Sequence, residues 1–204
     1  MRWLAQALVT TGAMLLALTA AASAQESEEL QIIEQPGYVP TPEEEMLPAE
    51  YRPQMVFFRS TEPPGTIVVQ TQERFLYIVQ GNDRAIRYGV GVGREGFQWQ
   101  GLLKISRKQE WPDWRPPPEM IERQPYLPRM MAGGETNPLG ARALYLGKTV
   151  YRIHGTNQPS TIGKYVSSGC IRLTNEDIED LYSRVQVGTR VVVLAGSAPA
   201  TAQR

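Results

Sequence analysis

The chain has 204 residues, with 21 Lys and Arg balancing 21 Asp and Glu. That balance lacks the basic excess on which nucleic-acid binding depends. One histidine and one cysteine are too few ligands for a metal site of the usual kinds, and no motif calls for a cofactor.

The first residues read as a processing signal. Arg2 supplies a short positive start, Trp3 to Ala22 is almost all apolar or small, and Ala22-Ser23-Ala24 is an A-x-A cleavage site. The apolar run approaches the length of a membrane span. Its small-residue end and the polar Gln25 point instead to cleavage after Ala24, export to the periplasm and no stable span afterwards. Residues 1–24 are therefore expected to be absent from the mature chain, whose net charge is then −1.

Residues 25–62 read as a tether. Glu26, Glu28, Glu29, Glu34, Glu43, Glu44, Glu45 and Glu50 alternate with Pro36, Pro40, Pro42 and Pro48, and no Lys or Arg occurs between Gln25 and Tyr51. Self-repelling acids and helix-breaking prolines oppose a packed core. Met55-Val56-Phe57-Phe58 is expected to pack the end of the tether onto the domain.

Residues 63–195 are long enough for one core, and Pro63-Pro64-Gly65 marks its entry. Thr66 to Gln70, Phe75 to Val79, Ala85 to Tyr88 and Leu102 to Ser106 are β-rich runs, broken by turn residues such as Gly81-Asn82-Asp83. The fold class is mainly β: a mixed, largely antiparallel, sandwich-like sheet with a short helix after Cys170. Gly89, Gly91 and Gly93 form a G-x-G-x-G run, but the helix that a phosphate loop requires does not follow it. Glycine at alternate strand positions points to close approach of another backbone. Arg107 to Gly140 carries seven prolines, which forbid a long helix or central strand. Its Trp111, Trp114, Tyr126, Met130 and Met131 suit either a lid or a packing surface.

Ala143 to Leu146 and Val150 to His154 flank Gly147-Lys148-Thr149 as a hairpin, with His154 at a strand end facing the cleft. Thr174 with Asp177 three positions later opens a helix. Its Ile178, Leu181, Tyr182 and Val185 lie on one face. Residues 196–204 look like a frayed polar tail.

Between these elements lies the chemistry. The stretch Tyr151 to Thr174 holds both His154 and Cys170. A cysteine nucleophile needs a base to form its thiolate, and imidazole is the usual one near neutral pH. A cysteine kept only for packing would sit among apolar neighbours, whereas Cys170 follows Ser167-Ser168-Gly169. Exported proteins usually recruit cysteines in pairs, so a single one is better explained by reactivity.

Ile153-His154-Gly155-Thr156 and Ser167-Ser168-Gly169-Cys170-Ile171-Arg172-Leu173 resemble the L,D-transpeptidases of the YkuD type, over about Pro64 to Ala195. One departure stands out: Ser168 occupies the place of a second, supporting histidine in many members. The resemblance implies that Cys170 is the nucleophile and His154 the base. The N–H groups of Gly169 and Cys170 are the expected oxyanion donors. Arg172, Tyr145, Gly155, Thr156, Ser167 and Ser168 are the expected substrate contacts. It implies peptidoglycan stem peptides as partners and a thioester passed to a neighbouring stem amine, giving a 3→3 cross-link. An outer-membrane protein or water are the alternative acceptors. A non-catalytic wall-binding module is the reading from another class, and it gives no use for the Cys–His pair.

Overall fold

The computed structural model describes residues 35–195. The expected signal at 1–24 and tail at 196–204 lie outside the described residues. Within them the strands are β1 (Gln54–Phe57), β2 (Ile67–Gln70), β3 (Phe75–Gly81), β4 (Arg84–Gly89), β5 (Val92–Gly93) and β6 (Gly101–Glu110). They continue as β7 (Arg142–Leu146), β8 (Arg152–His154), β9 (Tyr165–Ser167), β10 (Ile171–Arg172) and β11 (Arg190–Leu194). The helices are α1 (Pro42–Glu45), α2 (Pro118–Arg123) and α3 (Asn175–Arg184).

One sheet runs β1-β4-β3-β2-β11-β6-β7-β8-β10, and β5 pairs with β9 beside it. Most pairings are antiparallel, while β2/β11, β8/β10 and β5/β9 are parallel. The fold is mainly β and mixed, as the sequence indicates. The β3–β4 turn uses Asn82 and Asp83 at φ 51° and 52°, the conformation that a two-residue hairpin loop requires and that these residues tolerate. Strand β6 joins the two halves of the sheet. Its first part pairs with β11 and its second with β7, across an irregularity between Ile105 and Arg107. Such a bulge bends a strand and lets it serve two differently directed sheet segments.

The β-branched runs fill two faces. Ile67, Val69, Leu76 and Ile78 join Leu144, Leu146, Ile153 and Ile171 in the main core, where Ile178 and Leu181 of α3 and the C-capping Val185 close over them. The alternate residues Val68, Tyr77, Val79 and Ala85 form a second cluster on the opposite face, covered by Val56 and Phe58. Phe58 stacks on Tyr77 at a centroid distance of 4.3 Å.

That second face changes the reading of residues 25–62. The stretch expected to pack the end of the tether onto the domain is strand β1, paired antiparallel with β4. Val56 points inward while Met55 and Phe57 stay exposed, the alternation of an edge strand. Upstream, Tyr51 wedges between two glycines: a Cβ on Gly89 would meet the Tyr51 carbonyl oxygen at 2.8 Å, and one on Gly163 would overlap its ring. Thr41 and Glu44 make a reciprocal capping box at α1. Prolines exclude long helices but permit such edges and short turns, so residues 35–62 belong to the packed unit.

The glycine run behaves as its spacing suggests. Gly91 exchanges two backbone hydrogen bonds with Arg172, of 2.9 and 2.8 Å. A Cβ there would lie 2.9 Å from the Thr161 carbonyl oxygen. The proline-rich connection is shorter than expected, because β6 extends to Glu110. It has its own small core of Trp114, Met120, Ile121, Leu127 and Leu139. Asn137, wholly buried, donates to the carbonyls of Pro112, Met131 and Ala132 and accepts from the Leu139 N–H. Trp114 is thus a packing residue of this connection, while Tyr126 and Met130 remain exposed.

Candidate active site

The parallel pair β8/β10 sets the site. Ile153 stands opposite Ile171 and His154 opposite Arg172. Matched positions in neighbouring strands project to the same face. Cys170 immediately precedes β10, two residues before Arg172, so alternation places it on the His154 side. The thiol is half-buried, and its Sγ donates weakly to the Val150 carbonyl at 3.9 Å.

His154 does not line an open cleft as expected; it is 3% exposed. Burial, and then the guanidinium groups of Arg172 and Arg152, push its pKa down to about 3. The carbonyl of Gly155, 2.5 Å from Nδ1, and the backbone of Leu139 oppose that shift and fix the ring. The imidazole is therefore neutral at physiological pH, the form that can accept a proton. The two guanidiniums that disfavour an imidazolium also favour any anion formed beside them. Arg172 is itself 3% exposed, so it acts on the imidazole from inside the fold.

The loop before the thiol is held from three sides. Ser167, buried, donates its hydroxyl to the Cys170 carbonyl at 2.5 Å and accepts the Gly169 N–H at 3.1 Å. The Trp99 indole N–H donates to the Gly169 carbonyl at 2.7 Å. The Arg94 guanidinium donates to the Ser168 hydroxyl at 3.3 Å, on the side chain that replaces the expected histidine. Trp99 in turn stacks on Tyr151, with centroids 4.4 Å apart and planes 6° from parallel. Gly169 sits at φ +103°, and a Cβ there would come within 2.7 Å of the Tyr151 ring. Only glycine meets both conditions.

These bonds revise one expectation. The Gly169 N–H is engaged by Ser167, so it does not point at an incoming oxyanion. The Gly169–Cys170 peptide is trans, and clamping its carbonyl on Trp99 sends the Cys170 N–H the opposite way. Of the other expected residues, Tyr145 faces Arg152 across β7/β8 and lies under Arg107 at 3.7 Å. Gly155 and Thr156 fall at the other end of β8. Gly155 is there for packing, since a Cβ would collide with Asn175 Oδ1 at 2.4 Å.

The L,D-transpeptidase catalytic domain pattern matches residues 64–193. The chain belongs to this family. It is 36% identical over 160 residues to the probable L,D-transpeptidase YbiS of Escherichia coli K12, covering 74% of this chain and 51% of that protein. It is 37% identical over 150 residues to the probable L,D-transpeptidase ErfK/SrfK of the same strain, covering 70% and 47%. The chain thus spans about half the length of these relatives. The catalytic domain of the Enterococcus faecium L,D-transpeptidase, solved acylated by ertapenem, superposes with a TM-score of 0.51 at 18% identity, over 66% of this chain and 100% of that one. That likeness extends to the fold.

Sequence reasoning within the family missed Trp99, Tyr151, Arg94 and Arg152. Trp99, Tyr151 and Arg94 act through partners distant in sequence, Trp99 being 70 residues from Gly169, whereas Arg152 is close in sequence to the buried His154 whose pKa it lowers. The Ser167-Ser168-Gly169 run signalled a polar turn, but nothing in the chain named what crowds it.

Proposed function

We propose that the chain is an exported L,D-transpeptidase acting on peptidoglycan stem tetrapeptides. Cys170, as thiolate, attacks the carbonyl carbon of the third stem residue, and His154 takes the thiol proton. The tetrahedral oxyanion is met by the Cys170 N–H that Trp99 orients. Collapse breaks the C–N bond, His154 returns its proton to the departing D-alanine amine, and a thioester remains. The side-chain amine of a second stem then attacks the thioester, releasing the thiol and leaving a 3→3 cross-link. The membership of the family supports this reading. The observation that carries it is the half-buried Cys170 on a clamped turn, one strand from a buried neutral imidazole.

Two measurements test it. Intact-protein mass spectrometry after incubation with ertapenem should give one adduct on Cys170, and none on Cys170→Ser. Disaccharide tetrapeptides should yield 3→3 dimers and free D-alanine. Absence of any adduct would remove the nucleophile assignment. Tripeptide without dimer would move the acceptor to water, and a dimer formed only with an added outer-membrane protein segment would move it to protein. N-terminal sequencing of the secreted chain should begin at Gln25.

A further inference from the structure

The side chains that lead away from Cys170 across the sheet are cationic. Continued one residue back, the β8/β10 register that sets His154 beside Arg172 sets Arg152 beside Cys170. Arg152 stands opposite Tyr145 on β7, and Tyr145 opposite Arg107 on β6. Partners in register project to one face, so Cys170, Arg152, Tyr145 and Arg107 form one line on the His154 side of the sheet. Neighbouring strands lie about 4.8 Å apart, which puts the Arg152 and Tyr145 positions about 5 and about 10 Å from that of the nucleophile. Arg107 is exposed, while Tyr145, Arg152 and Cys170 are half-buried, so the line opens to solvent as it leaves the thiol.

Both guanidiniums rest on the Tyr145 ring, that of Arg107 at 3.7 Å from its centroid and that of Arg152 at 5.4 Å. Contact with a ring engages the face of a guanidinium and leaves the N–H groups of its edge for a planar acceptor. One N–H of Arg107 goes to Gln109 Oε1 at 2.8 Å, and the Tyr145 hydroxyl lies 3.5 Å from the same oxygen. No carboxylate among the described residues pairs with either guanidinium. Other strand arginines differ: Arg142 on β7 meets Glu110 and Glu179, and Arg190 on β11 meets Glu62. One arginine lying on a tyrosine is ordinary packing. Two on one ring, without a carboxylate and in register with a nucleophile, concentrate positive charge where a substrate of Cys170 must lie.

We propose, on the acyl-transfer reading and resting on it for the donor, that Arg152 and Arg107, held on Tyr145, form a subsite for a carboxylate of the acyl-donor peptide. A carboxylate accepts two parallel N–H bonds from one guanidinium, and the charge of the second strengthens them. An anion held one or two strands from the thiol ties down the donor away from its reacting bond, and such contacts fix the carbonyl against the nucleophile. Arg152 and Arg107 are then specificity-determining residues.

Steady-state kinetics on the full chain tests this with three tetrapeptide donors: the free acid, the C-terminal amide and the form with its side-chain carboxylates amidated. The free acid should exceed one of the amides by about tenfold in kcat/KM, the scale of a hydrogen bond to a charged group. The amide that falls behind identifies which carboxylate is bound. Arg152→Gln and Arg107→Gln should each reduce that acid-to-amide ratio at least threefold, and Arg152→Lys, which keeps the charge without the fork, should retain part of it. If Arg152→Gln fails to fold, the exposed Arg107 decides. An arginine serving only the thiolate would slow acid and amide alike and leave the ratio unchanged. Equal kcat/KM for all three donors, or a ratio unaltered in every folded variant, would overturn the subsite and leave acyl transfer standing. If no donor is turned over, calorimetric binding of the same peptides to the Cys170→Ser chain makes the comparison instead. Acid-selective binding that weakens on Arg107→Gln would then keep the subsite while the acyl-transfer reading falls, and unselective binding would remove both.

Discussion

The two ends of the β8/β10 pair solve opposite problems. At the Cys170 end the turn is braced: Ser167, Trp99 and Arg94 each take a loop atom, and the thiol beside them is half-buried. At the Asp177 end two buried oxygens, Asn157 Oδ1 and Asp177 Oδ2, have no donor among the described residues. The first arrangement fixes geometry for a reaction, because sub-ångström placement decides rates. The second leaves hydrogen-bonding capacity unused inside the fold, which costs stability. The difference teaches that one short strand pair can carry a tightly braced turn at one end and unsatisfied buried groups at the other.

The sharpest way to break the comparison is at the reacting groups. Cys170→Ser and His154→Ala should each lower the ertapenem acylation rate by at least about a thousandfold, since members of a catalytic unit fail together. Cys170→Ser should leave the melting temperature nearly unchanged, whereas His154→Ala empties a buried position and should cost about 1–3 kcal/mol. Near-normal acylation in either variant would dismantle the Cys–His assignment.

Next comes the turn. Gly169→Ala forces a Cβ into the Tyr151 ring at a φ that alanine avoids, so acylation should fall about a hundredfold and stability by about 1–3 kcal/mol. Stopped-flow acylation and urea denaturation read the two effects separately. Trp99→Phe keeps the stack on Tyr151 but removes the indole N–H. A fall of about tenfold in acylation is expected, roughly 1.4 kcal/mol in barrier, with urea stability little changed. An unaltered rate would show that the Gly169 peptide needs no clamp.

The last effect belongs to the far end, and it is read in stability alone. Burial raises the Asp177 pKa from 3.8 to about 6. The folded chain therefore holds this proton more tightly than the unfolded one, and stability falls as pH rises from about 4 through 6. Asp177→Asn abolishes that contribution. Its urea stability relative to wild type should improve across this window by an amount of the order of 2 kcal/mol. A difference independent of pH would mean that Asp177 ionises freely in the folded state.

How much of this was legible in the residues differs sharply between the ends. His154 and Cys170 as candidate residues, and the N-capping Thr174, which accepts the Asp177 N–H at 3.1 Å, could be read directly. Each is either the chain's single residue of its type or bound to a local rule of turns and caps. Local rules reach only a few residues, so they hold whatever the rest of the chain does. The β-branched runs and the apolar face of α3 were legible for the same reason.

What sequence could not decide is which distant groups converge. That Arg172 stands beside His154 follows from a parallel register between strands separated by sixteen residues of loop and β9. That Trp99 rather than another of four tryptophans holds Gly169 follows from the β5/β9 pairing. Residues 35–62 read as an acidic tether because composition records charge and proline, and not the sheet edge and glycine gaps waiting to receive Val56 and Tyr51. The line of Arg152, Tyr145 and Arg107 draws common residues from three strands, and no spacing announces it. Residue chemistry and local backbone preference thus determined the candidate nucleophile and base, the family resemblance and most of the secondary structure. Burial, register and the meeting of remote segments are collective properties of the fold, and only the tertiary structure decided them.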